Sequence, residues 1–222
     1  MMRNIKRRIF APPIQAVSIE PTNDCNSDCV YCHRKMRPVG YMDFKHFRGL
    51  IDEVPEGMPV TLSYGGESIT HPRFGEMARY AQERGHKVVV YSNGIQPYPE
   101  SVEVVTYAKP PPIILTWNQR FEKPNTLKPI YTFCAELYYG INILWNGDVV
   151  PCCHCVSGNR VVGNVFKDGG LEAVWHSLNY WRLRLRGHCG DCEIYPYDLS
   201  AESIESYQRK TQPDYHIGGV VK

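Results

Sequence analysis

The 222-residue chain has no apolar run near the roughly 20 residues that a bilayer-spanning helix needs, so no transmembrane anchor is expected. It also lacks an excess of either charge. Its 25 Lys and Arg stand against 23 Asp and Glu, and a formal net charge of +2 gives no strong field for nucleic acid or an anionic membrane. Internal repeats and low-complexity tracts are absent, which at this length leaves one compact domain, or one with a small appendage. The basic first ten residues carry no apolar core of an export signal. Together these absences predict a cytoplasmic globular chain, with neither a membrane nor a nucleic acid expected as partner.

What the chain does have is cysteine. There are nine, at positions 25, 29, 32, 134, 152, 153, 155, 189 and 192. An odd number without an export signal argues against a disulfide framework. Reduced thiols crowded at short spacings are instead the usual mark of a metal site. They fall in separated groups, so folding must bring the later groups together.

The hydrophobic pattern predicts where these groups sit. Residues 14–20 (IQAVSIE) alternate apolar and polar and read as a first strand, with the first cysteine group in the polar loop after it. Asp43 is a plausible N-cap for a helix carrying Phe44, Phe47, Leu50, Ile51 and Val54 at helical spacing. Residues 60–64 (VTLSY) read as a second strand ending in Gly65-Gly66-Glu67. A helix is expected over 73–84 and is stopped by Gly85. Residues 87–91 (KVVVY) are a third strand, 100–107 a weaker helical stretch, and 113–117 (IILTW) a fourth strand. Strands separated by helices imply βαβ units and a parallel sheet, whose ligands bind at the carboxyl edge. About four such units make at most a partial α/β barrel, since a full one uses about 250 residues.

The pattern changes at the polar, proline-bearing stretch 121–129, where a boundary is expected. Beyond it, 141–145 and 148–150 read as a hairpin turning at Asn146-Gly147, the strongest two-residue hairpin signal. One helix is predicted over 170–186, with Leu171, Val174, Trp175, Leu178 and Trp181 inward and its Arg182, Arg184 and Arg186 on a solvated face. The predicted division is 1–124, 125–199 and a tail from 200 to 222.

Cys25, Cys29 and Cys32 form a C-x3-C-x2-C run. Three thiolates on one loop can hold three corners of an iron–sulfur cubane, leaving the fourth iron open for a ligand. A structural zinc site with His33 as fourth ligand satisfies the same inventory. This spacing, with aromatic Tyr31 before the last cysteine, resembles the radical S-adenosylmethionine (radical SAM) superfamily. Gly65-Gly66-Glu67 is similar to that family's second motif, and Ser92-Asn93-Gly94 resembles its Thr-Asn-Gly, with Ser in place of Thr. The resemblance implies a [4Fe-4S] cluster on Cys25, Cys29 and Cys32 that chelates S-adenosylmethionine (AdoMet). It implies that Gly65, Gly66 and Glu67 receive the ammonium group, that Ser92 and Asn93 bond the ribose or carboxylate, and that Tyr31 packs near the adenine. The implied chemistry is reductive cleavage of AdoMet to methionine and a 5′-deoxyadenosyl radical, which takes a hydrogen atom from the substrate.

Cys134, Cys152, Cys189 and Cys192 supply four thiolates from a hairpin and a helix end, which suit either zinc or a second [4Fe-4S] cluster. Cysteine, G-x4-C, Val162-Gly163-Asn164-Val165, a helix bearing Trp175 and C-x2-C resemble the SPASM/Twitch extension of radical SAM enzymes. That resemblance implies one auxiliary [4Fe-4S] cluster on these four residues. Cys153 and Cys155 are left over, each able to replace Cys152, to lie near the substrate, or to be a buried thiol. Only 40 positions separate Gly94 from Cys134, so a reduced barrel with an open cavity is expected. The resulting expectation is a radical SAM enzyme acting on a peptide or protein side chain, with flavodoxin or ferredoxin as electron donor. Dehydrogenation of a small sugar or cyclitol alcohol is the main enzyme alternative, and a structural zinc protein the non-enzymatic one.

Overall fold

The computed structural model describes residues 11–28, 32–106, 134, 136–153, 155, 157–187 and 189. The fourth strand expected at 113–117, the boundary at 121–129 and the tail from 200 lie outside the described residues.

The first strand, β1, is Ala16–Ile19. Helix α1, Phe44–Glu53, starts where Asp43 accepts hydrogen bonds from the backbone N–H of Lys45 and His46, satisfying donors the first turn leaves open. Its Phe47, Leu50 and Ile51 are buried. Strand β2, Val60–Leu62, is followed by helix α2, Phe74–Glu83, which buries Phe74, Met77, Ala78 and Ala81. Gly85, at φ +83°, ends that helix in a conformation only glycine adopts readily. Strand β3 is Val88–Ser92.

Residues 103–106 correct an expectation. The helical stretch predicted there is strand β4, Glu103–Thr106, which pairs in parallel with β3. Its Val104, Val105 and Thr106 are β-branched, which favours a pleated edge over a helix.

The C-terminal part begins with the short helix α3, Glu136–Tyr139, leading into β5, Gly140–Ile143. Strand β6 is Asp148–Val150 and β7 is Gly163–Asn164. The β5–β6 turn differs from the two-residue form expected. Gly147 donates to the Leu144 carbonyl at 2.9 Å and only Gly147, at φ +85°, is left-handed, so Trp145 and Asn146 are the corner residues. The single helix predicted over 170–186 is two: α4, Leu171–Trp175, and α5, Leu178–Arg186. Ser177 breaks it by capping α5, its hydroxyl accepting from the Tyr180 N–H at 3.2 Å.

The described strands form one sheet in the order β4-β3-β2-β1-β5-β6-β7. The β4-β3-β2-β1-β5 pairings are all parallel, and β5-β6 and β6-β7 are antiparallel. The C-terminal hairpin therefore extends the N-terminal sheet: Ala16 pairs with Gly140 and Ile19 with Ile143. One hydrophobic core joins Val17, Leu62 and Phe47 to Trp175, Tyr180 and Leu137. Glu53 of α1 reinforces the union by accepting from the first N–H of α4, on Leu171, at 2.6 Å.

Arg184, expected on a solvated face, is only 4% exposed. Its guanidinium lies 4.0 Å from the Trp175 ring and 4.2 Å from that of Tyr180, and donates to the Leu137 and Trp175 carbonyls. Delocalised charge over aromatic faces plus two carbonyl bonds offsets much of the cost of that burial.

Candidate active site at the carboxyl edge

Among the described residues, those of the N-terminal motifs lie at or beyond the carboxyl ends of parallel strands. The chain leaves β1 through Glu20 and reaches Cys25 over a brace of side-chain bonds. Thr22 donates to the Gly40 carbonyl at 2.7 Å, Asn23 donates to that of Pro38 at 2.8 Å, and Tyr41 donates to the Asp24 carboxylate at 2.7 Å. These bonds tie together the two ends of the cysteine loop. Cys25 and Cys32 are both half-buried thiols, while Cys29 and Tyr31 lie outside the described residues. Burial pushes the Cys25 thiol up, opposed by the Ser27 N–H and the Arg34 guanidinium.

The Gly65-Gly66-Glu67 turn after β2 is pressed against this loop. A Cβ on Gly66 would fall 2.4 to 2.6 Å from backbone atoms of Thr22, Asn23 and Asp24, so only glycine fits. A Cβ on Gly65 would meet the Arg37 guanidinium at 2.3 Å and the Glu20 carboxylate at 2.7 Å. The Glu67 N–H donates to the Asp24 carbonyl at 2.8 Å.

Glu67 is 3% exposed, and its carboxylate gathers the loop after β3. One oxygen accepts from the Ser92 hydroxyl at 3.0 Å and from the Tyr98 hydroxyl, the other from the Asn93 N–H at 2.8 Å. A carboxylate offers about four acceptor positions, so about one remains for a ligand. Ser92 is buried and committed to this network, whereas Asn93 turns its amide to Asn26 at 2.8 Å and the Cys25 sulfur at 3.7 Å. Tyr98 is a member that sequence reasoning missed; it accepts from the Ile69 N–H and packs edge-on against Phe74. Burial, with the Glu67 carboxylate beside it, pushes its hydroxyl up, so it serves as a donor.

Glu20 and Arg37 form a second buried centre at the same edge. Glu20 is fully buried, and Arg37 pairs with it through two bonds of 2.8 and 2.6 Å. The N–H groups of Gly65 and Trp145 complete the carboxylate at 2.9 and 3.3 Å. Neither residue was singled out by motif reading, because each is 17 positions or more from every partner.

The later cysteines flank α5. Cys134 donates its N–H to the Gly187 carbonyl at 2.6 Å, next to Cys189 in sequence, and Cys152 lies just beyond β6. Tyr180 is fully buried between them; burial pushes its hydroxyl up, Arg184 opposes this, and Cys152 and Cys189 add to it. Cys192 lies outside the described residues. Cys155 is buried with Leu144 and Val150 against Tyr64, while Cys153 is exposed.

Among the described residues, no three His, Cys, Asp or Glu side chains converge closely enough to hold an ion. In the first set Cys29 is outside them, leaving two; in the second Cys192 is outside them, and the described Cys134, Cys152 and Cys189 do not converge to that extent. The donor chemistry nevertheless fits iron–sulfur ligation: the seven described cysteines are thiols, and the first set shares one braced loop.

Comparison with known proteins adds to this geometry. Residues 19–116 match the family model described as Radical SAM superfamily, and residues 134–193 match SPASM, an iron-sulfur cluster-binding domain. The AdoMet-dependent heme synthase of Methanosarcina barkeri is 36% identical over 91 residues, 39% of this chain and 26% of that protein. The Bacillus subtilis antilisterial bacteriocin subtilosin biosynthesis protein AlbA is 29% identical over 99 residues, 43% of this chain and 22% of its own. The chain thus spans about a quarter of the length of these relatives. Among solved structures, BtrN in complex with AdoMet and 2-DOIA superposes with a TM-score of 0.62 at 13% identity, covering 85% of this chain and 100% of that one. Streptococcus suis SuiB bound to precursor peptide SuiA gives 0.57 at 13% identity, covering 91% and 75%. At these identities the two structures speak for the fold.

Proposed function

We propose that the chain, whose residues 19–116 match the Radical SAM superfamily model and 134–193 the SPASM model, cleaves AdoMet reductively and directs the resulting radical at a peptide or protein side chain. The observation that carries this reading is the contact between the cysteine loop and the Gly-Gly-Glu turn, in which Gly66 and the Glu67 N–H meet the backbone of residues 22–24. It supports a reading in which Cys25, Cys29 and Cys32 and the buried Glu67 carboxylate would serve one ligand at the carboxyl edge.

Cys25, Cys29 and Cys32 would hold a [4Fe-4S] cluster that supplies the electron for AdoMet cleavage. Cys134, Cys152, Cys189 and Cys192 would hold an auxiliary one. The remaining acceptor position on Glu67 suits an ammonium donor, and Ser92 and Tyr98 hold that carboxylate in place. We assign residues 1–124 to the radical core and 125–199 to the auxiliary unit. A flavodoxin- or ferredoxin-type donor would supply the electron.

The peptide reading is supported by AlbA and by SuiB, which was solved with a precursor peptide. A second reading, oxidation of a small alcohol, is favoured by the full coverage of BtrN, solved with 2-DOIA. Anaerobic reconstitution tests the common premise. Brown protein with about eight irons per chain, releasing 5′-deoxyadenosine with dithionite and AdoMet, is expected. Colourless protein with stoichiometric zinc would falsify it. Adding a candidate precursor peptide or an aminocyclitol then separates the two substrate classes by which one changes mass.

A further inference from the structure

A polar strut crosses from the AdoMet turn to the auxiliary cysteines, and the assigned ligands do not account for it. It starts at the Glu20 carboxylate, whose acceptor positions serve three segments at once. Arg37 follows Cys32 out of the cysteine loop, Gly65 begins the Gly-Gly-Glu turn, and Trp145 stands in the β5–β6 turn of the auxiliary half. The Arg37 side chain is only 9% exposed. Its guanidinium lies 5.6 Å from the Tyr64 ring centre, and its stem fills the space beside Gly158, where a Cβ would approach it to 2.8 Å. Tyr64 immediately precedes Gly65. Its hydroxyl donates to the Cys155 carbonyl at 2.6 Å and approaches that of Cys152 at 3.2 Å. The Tyr64 hydroxyl therefore fastens the turn bearing Cys152 to the radical half, and its ring is overlaid by a guanidinium that the Glu20 carboxylate fixes.

We infer that Tyr64 and Arg37 are positioning residues for the auxiliary cluster, setting the orientation of the Cys152 ligand against the AdoMet turn. This rests on the two-cluster reading above. Groups just behind a metal ligand fix its direction and tune the metal, and the potential of an iron–sulfur cluster follows hydrogen bonding and burial around it. Losing the Tyr64 hydroxyl removes its bonds to the Cys152 and Cys155 carbonyls while every cysteine side chain and every residue assigned to AdoMet is kept. Replacing Arg37 by Lys keeps the charge but loses the two-pronged grip on Glu20.

The test uses the full chain, reconstituted anaerobically, as wild type, Tyr64→Phe and Arg37→Lys. Iron content, low-temperature EPR of the reduced protein and potentiometric titration of each cluster are read. Tyr64→Phe is expected to keep the AdoMet-induced change in the N-terminal cluster signal. It should shift the auxiliary signal and midpoint, or cut iron from about eight to about four per chain. Arg37→Lys should move the auxiliary signal in the same sense. A Tyr64→Phe protein with full iron and an unmoved auxiliary spectrum and midpoint overturns the assignment alone, whatever its thermal stability and whether or not Arg37→Lys folds. Wild-type protein holding only about four irons overturns the two-cluster reading and the assignment with it.

Discussion

The parallel half, β1 to β4 with α1 and α2, and the C-terminal half, β5 to β7 with α4 and α5, share a sheet and a core but hold their cysteines differently. In the first, the cysteine loop is braced by backbone proximity and by Thr22, Asn23 and Tyr41 at its two ends. In the second, Cys134 precedes α3 while Cys152, Cys153, Cys155 and Cys189 follow β6 or α5, and the backbone of residues 151–155 is reached by two tyrosine hydroxyls, Tyr64 and Tyr180. The first arrangement fixes the described flanks of the loop, residues 22–24 and 38–41. The second is adjustable through single side chains, which suits a centre whose properties are tuned to a particular substrate.

The sharpest way to break that comparison is to remove one cysteine from each half. Cys29→Ala is expected to abolish 5′-deoxyadenosine release, whereas Cys189→Ala keeps that release and loses about four irons and substrate turnover. Loss of AdoMet cleavage in folded Cys189→Ala protein would contradict the division of labour. Next in size is Gly66→Ala. Its methyl group would push on the backbone of Thr22 to Asp24, so the N-terminal cluster and AdoMet cleavage should both be lost, while the auxiliary EPR signal survives. Glu20→Gln leaves Arg37 buried beside a neutral partner and is expected to cost about 3–5 kcal/mol by denaturant titration of the apoprotein. A cost under about 1 kcal/mol would show that water reaches the pair. The smallest effect is that of Ser177→Ala, which removes the cap of α5 for about 1 kcal/mol and leaves both clusters spectroscopically unchanged.

Much of the parallel half was legible because its signals are local. Asp43 two residues before Lys45, the apolar spacing of α1 and α2, and the Val-rich β3 each determine their element without help from afar. The motif residues Gly65, Gly66, Glu67, Ser92 and Asn93 were placed together because all follow strands of one parallel sheet. What was not legible depends on distance. Tyr98 reaches Glu67 across 31 positions, and Trp145 reaches Glu20 across 125, with no spacing rule to connect either pair. Arg184 was misplaced because a charged side chain reads as exposed until its aromatic partners are known. Residues 103–106 were misread because a short β-branched run beside glutamates fits either period weakly.

The position of β5 beside β1 has a consequence for biogenesis. Strand β1 waits for its second neighbour until residues 140–143 have been made. For that interval its Val17 and Ile19 row offers bare amides and carbonyls to any passing strand. A fragment that stops at residue 124 would keep that edge open permanently.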